Sequence, residues 1–89
     1  MKIKVTDDNI LYGRIASDTE CPIALAIKGA CAPGALAVMV YPTEIYVNGV
    51  YYRVPDRVER KIIRYDDTGQ MKPFDFELEY DVIDKYQYW

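Results

Sequence analysis

The sequence predicts an α+β fold: a single small domain with a three- to four-stranded antiparallel sheet and two main helices. Three observations carry that prediction. Asn48-Gly49 separates two runs rich in β-branched and aromatic residues, and both residues tolerate the positive φ of a type I′ hairpin turn. Val58, Ile62 and Tyr65 recur at helical spacing, with Arg57, Arg60, Lys61 and Arg64 on the opposite face. Phe74, Phe76 and Leu78 alternate with Asp75, Glu77 and Glu79, the period of a strand with one buried face.

In chain order, Lys2-Ile3-Lys4-Val5 alternates as a short strand. Thr6 is a good N-cap, Asp7 and Asp8 suit the positive end of a helix dipole, and Gly13 suits a stop, which predicts a helix of one to two turns. Arg14 to Glu20 reads as a loop. Pro22 suits the first position of a helix in which Ile23, Ala26, Ile27 and Ala30 form an apolar stripe, ended by Ala32-Pro33-Gly34. Strands follow over Leu36–Tyr41, Glu44–Val47 and Val50–Val54. Pro55 opens a second main helix over about Asp56–Tyr65, with Ile63 beside its apolar face, and Asp67-Thr68-Gly69 closes it. The hairpin and the Phe74–Leu78 strand are expected to share one sheet, with the Ala-rich helix on its inner face. Tyr80, Tyr86, Tyr88 and Trp89 are expected to pack across the domain.

Composition narrows the function. The 89 residues include no His, which excludes Ser-His-Asp and Cys-His catalysis and His-ligated metals. Two Cys cannot build a four-thiolate site, so no cofactor is expected. If Cys21 and Cys31 flank one helix they stand about 15 Å apart, beyond disulfide reach. They read as small buried thiols; a nucleophilic Cys21 at a helix N-terminus is the sharper alternative. Lys4 interrupts the first apolar run, which predicts no secretory leader, and Gly34–Tyr41 is too short to span a bilayer.

The net charge of -3 conceals an asymmetry. Residues 66–89 hold seven acids against two lysines, a net of -5, which leaves +2 on the rest. The basic residues Arg53, Arg57, Arg60, Lys61 and Arg64 have three open readings. They form a solvated face paired with the acidic segment, an anion or nucleotide site in which Tyr46, Tyr51 and Tyr52 stack a base, or a duplex-binding helix, which the overall negative charge disfavours. Asp75, Glu77 and Glu79 read as an exposed edge that deters aggregation, or as a row of carboxylates about 6.8 Å apart that a partner meets in place of phosphates. An enzyme would need several of Asp7, Asp8, Asp66, Asp67, Cys21 and the Tyr side chains to converge, and no catalytic motif marks such a site.

Val5-Thr6 with Ile10 and Gly13, Cys21-Pro22-Ile23-Ala24-Leu25-Ala26, Tyr52-Arg53-Val54-Pro55 and Pro73-Phe74-Asp75-Phe76-Glu77-Leu78 together carry a resemblance. Over about Lys4 to Leu78 the chain looks like a family of small uncharacterised proteins of tailed bacteriophages and prophages. The resemblance implies a source and a setting, the host cell cytoplasm, and brings no site residues with it. In that setting the expectation is a non-enzymatic binding protein. It would inhibit a host protein of anti-phage defence or sequester an anionic nucleotide signal, with Arg53, Arg57, Arg60, Lys61, Arg64, Tyr46 and Tyr52, or Asp75, Glu77 and Glu79, in contact. A nucleic-acid accessory role in phage replication or regulation is the alternative. No membrane partner is expected, and a homodimer would add the buried surface that small domains lack.

Overall fold

A computed structural model describes residues 2–30 and 37–80. The predicted α+β class and antiparallel pairing are present. The elements run β1 (Lys2–Val5), α1 (Asp7–Tyr12), α2 (Pro22–Ala30), β2 (Val38–Val40), β3 (Glu44–Val47), β4 (Val50–Arg53), α3 (Asp56–Thr68), β5 (Phe74–Glu77) and β6 (Glu79–Tyr80). The expected stop at Ala32-Pro33-Gly34, the position of Cys31 and the packing of Tyr86, Tyr88 and Trp89 lie outside the described residues.

Local chemistry explains most boundaries. The Thr6 hydroxyl accepts from the Asn9 amide at 3.2 Å, and the Asn9 side-chain oxygen accepts from the Thr6 amide at 2.9 Å, a reciprocal cap on α1. Gly13 ends α1 in an extended conformation, not a left-handed one. Its requirement for glycine is steric: a Cβ there would lie 2.6 Å from the Pro22 ring. At the hairpin, Asn48 and Gly49 both have positive φ, 48° and 91°, as the turn type demands. Helix α3 runs one turn beyond the expected Tyr65. It stops where Gly69 turns left-handed at φ 74° and its amide donates to the Tyr65 carbonyl at 2.7 Å.

The sheets divide differently from expectation. The hairpin strands lie in a four-stranded sheet of order β2-β3-β4-β6, while β5 pairs antiparallel with β1 in a separate two-stranded ribbon. The Phe74–Leu78 stretch therefore does not join the hairpin. The chain leaves the ribbon at Leu78 and only then pairs with β4, through Glu79 and Tyr80. Alternation alone sets which face of a strand is buried, not which strand it pairs with.

One core joins both sheets. Ile3, Val5 and Phe76 from the ribbon pack in one cluster with Val38, Val40, Ile45 and Val47 from the larger sheet and with Ile23, Ile27, Val58 and Ile62 from α2 and α3. The helices thus cover the Ile45 side of the four-stranded sheet. Ile63, expected beside the apolar face of α3, is instead half exposed. No helix among the described residues is long and apolar enough to cross a membrane.

Candidate functional surfaces

The basic residues read together in the sequence separate in space. On α3 the buried stripe of Val58, Ile62 and Tyr65 turns the basic residues outward. Arg57 reaches across to β5, where its Nη2 donates to the Asp75 carbonyl at 2.9 Å. Lys61 holds its ammonium 4.9 Å from the centroid of the Phe74 ring, within cation–π range. Arg60 and Arg64 are exposed, and their side chains have no partner among the described residues. Arg53 lies on β4 with Glu44 opposite it on β3 and Glu79 opposite it on β6. The cations thus form a pair held against β5, an exposed pair on α3 and one residue set between two acidic register positions.

The tyrosines separate as well. The hairpin register sets Tyr46 opposite Tyr51 and Ile45 opposite Tyr52. Tyr46 and Tyr51 meet edge to face, with centroids 5.1 Å apart and rings at 66°. Met39 is the register partner of Tyr46 on its other side, which extends this outer face across three strands. Tyr52 points the other way and packs against the core. Tyr46 and Tyr52 therefore do not line one site. On the outer side, the Tyr41 hydroxyl lies 3.4 Å from both an Asp18 carboxylate oxygen and the Met39 sulfur.

The acidic row is interrupted. Asp75 and Glu77 share the exposed side of β5, but Glu79 belongs to β6 in the other sheet. The Lys2 ammonium lies 3.1 Å from Asp75, and that hydrogen bond and charge, with Lys4 adding a smaller effect, hold the Asp75 carboxyl below the usual carboxylate range. The Arg57 bond and the Lys2 pair support the reading in which basic groups meet the acidic segment inside the molecule.

Two of the groups an enzyme would use, Cys21 and Asp66, have structural partners. Cys21 is buried and caps α2: its Sγ accepts from the Ala24 amide at 3.4 Å. Burial pushes its thiol up, away from the thiolate a nucleophile needs. Burial also raises the Tyr65 phenol. Asp66 accepts the Ala16 amide at 3.2 Å, which anchors the 14–20 loop to the end of α3, with Ala16 at a φ of 56°. Among the described residues no group of three or more His, Cys, Asp or Glu side chains could hold a metal ion.

One surface was missed in the sequence. A shallow groove of about 440 Å³ runs between β1 and α2, with Lys2 and Lys4 on one wall and Leu25, Ala26, Gly29 and Ala30 on the other. The signal was present in Lys2-Ile3-Lys4-Val5. It gave a strand, but not which of its edges stays open.

No family model, curated protein or solved structure matches this chain.

Proposed function

We propose that this chain is a non-enzymatic binding protein that works in the cytoplasm of a phage-infected host and inhibits a host protein of anti-phage defence. The contact surface is the outer face of the four-stranded sheet. The observation that carries this reading is the edge-to-face Tyr46–Tyr51 pair flanked by Met39, on the side of the sheet away from the helices. Aromatic residues and Met are enriched in protein interfaces, and amphipathic rings give contact area at small entropic cost. Glu44 and Arg53 on the same face fit the polar rim of such a patch. The setting rests on the resemblance to phage proteins.

Two features weigh against the nucleotide reading. Arg57 and Lys61 are engaged with β5, and Tyr52 packs against the core, which leaves no convergent set of these cations and rings among the described residues. The nucleic-acid reading is left with Arg60 and Arg64 as the α3 cations whose side chains have no partner among the described residues, little for a backbone-tracking surface.

The test is capture from host lysate with the chain immobilised, followed by affinity measurement on the purified partner. Tyr46→Ala is expected to weaken that complex by about thirtyfold, the scale of an interface hot spot, while Arg60→Ala with Arg64→Ala changes it little. Calorimetry against nucleotides runs in parallel. Nucleotide binding that disappears with the two Arg substitutions and persists in Tyr46→Ala would replace this reading with the sequestering one.

A further inference from the structure

We propose that the free edge of β1, beside α2, is a second docking site and takes an extended acidic peptide strand from a partner protein. Among the described residues, strand β1 pairs on one side only, with β5. On its other edge it makes no backbone hydrogen bond with a described residue. Alternation fixes which backbone groups face that edge. The Asp75 carbonyl accepts from Arg57 of α3, and we take that bond to mark the edge of β5 away from β1. In an antiparallel ladder this makes Asp75 and Lys4, its register partner, a pair that exchanges no backbone bonds. The amides and carbonyls of Lys4, and of Lys2 two residues before it, therefore face the groove, ready for strand addition.

The groove selects the occupant. Lys2 and Lys4 lie on the exposed side of β1, about 6.8 Å apart along the strand. Lys2 shares its charge with Asp75, whereas Lys4 has no ion pair among the described residues. Leu25, Ala26, Gly29 and Ala30 make the opposite wall apolar and low, and a Cβ built on Gly29 meets nothing within 4 Å. A strand alternating acidic and small apolar residues would set its acids toward the lysines and its apolar side chains against α2. Strand β5 already meets β1 in this pattern from the other side, with Asp75 opposite Lys4 and Glu77 opposite Lys2. A second copy of β1 is the wrong occupant, because antiparallel self-pairing would bring lysines against lysines. Lysines on an edge thus exclude the chain's own strand and admit an acidic one.

This site is separate from the Tyr46 face, so either can fail alone. The probes are two capped eight-residue peptides, one alternating Glu with Val and one alternating Lys with Val, titrated into the full chain and followed by amide NMR and calorimetry. The Glu peptide is expected to bind, with amide shifts confined to residues 2–6 and 25–30, and with affinity unchanged in Tyr46→Ala. Lys4→Glu should weaken it by about tenfold and confer binding of the Lys peptide. Gly29→Leu fills open space and raises helix propensity, so it should fold yet reduce binding by about tenfold or more, while Gly29→Ala has a smaller effect. Absence of Glu-peptide binding at millimolar concentration, equal binding of both peptides, or binding that survives Gly29→Leu would overturn the proposal. Self-association abolished by Lys4→Glu would overturn it too, assigning the edge to a second copy.

Discussion

The four-stranded sheet and the two-stranded ribbon are built from strands of similar length, yet they are held by different means. In the larger sheet, β3 and β4 are joined by a two-residue turn that sets their register locally. Its edge strand β2 is tied to the 14–20 loop, where the Val40 amide donates to the Asp18 carbonyl at 2.7 Å. The ribbon has no turn of its own. Its strands come from opposite ends of the described chain and are held by the core beneath and by Arg57, Lys61 and Lys2 at the surface. A sheet closed by a local turn can rely on backbone geometry; a ribbon closed at long range relies on side chains.

Substitutions can break or sharpen that contrast. The largest effect is expected in the ribbon's buried contact. Phe76→Ala should cost about 3–5 kcal/mol, read from urea unfolding, against about 2–5 for Ile45→Ala beneath the larger sheet. If the two sheets share one cooperative unit, each substitution moves a single transition. A second transition in Phe76→Ala alone would mean that the ribbon melts separately. Next comes the turn. Gly49→Ala forces a side chain into φ 91° and should cost about 1–2 kcal/mol, with the amide protection loss centred on β3 and β4.

A smaller cost is expected from Arg57→Met, which keeps most of the stem and removes the donor to the Asp75 carbonyl. About 1 kcal/mol should be lost, and hydrogen exchange should rise in β5 before β3. The smallest effect is electrostatic. The folded Asp75 carboxyl titrates below its unfolded counterpart, so as pH falls the unfolded chain takes up the proton first. The pair's contribution is complete above about pH 4, the unfolded carboxyl value, and fades as pH falls through the lower folded value. Both side chains are more than half exposed, so the contribution should be slight and salt-sensitive. In Lys2→Met, the Asp75 titration followed by carboxyl NMR should move up toward the ordinary range.

The same contrast explains what the sequence revealed. Asn48-Gly49, the Thr6 cap and the Val58, Ile62, Tyr65 stripe each act within a few residues, and each appears where the sequence set it. The hairpin register was equally legible. With Asn48 and Gly49 as the turn, Val47 must face Val50, so Tyr46 and Tyr52 must lie on opposite faces. Treating the two as one stacking site ignored that parity. The partner of Phe74–Glu77 was not legible, because alternation is blind to which strand lies alongside. The division of the basic residues followed from it: once β5 lies beside α3, Arg57 and Lys61 have neighbours to engage, while Arg60 and Arg64 face away.

The pairing of β1 with β5 also dictates an order of events during synthesis. The β3–β4 hairpin can close as soon as residue 53 has emerged, but Lys2–Val5 has no complementary strand until Phe74–Glu77 is made. Until Phe74–Glu77 is made, β1 therefore waits without that partner, while closure across some seventy residues stays out of reach. Lys2 and Lys4 make that wait tolerable, since repulsion keeps the nascent strand from pairing with identical strands on neighbouring ribosomes.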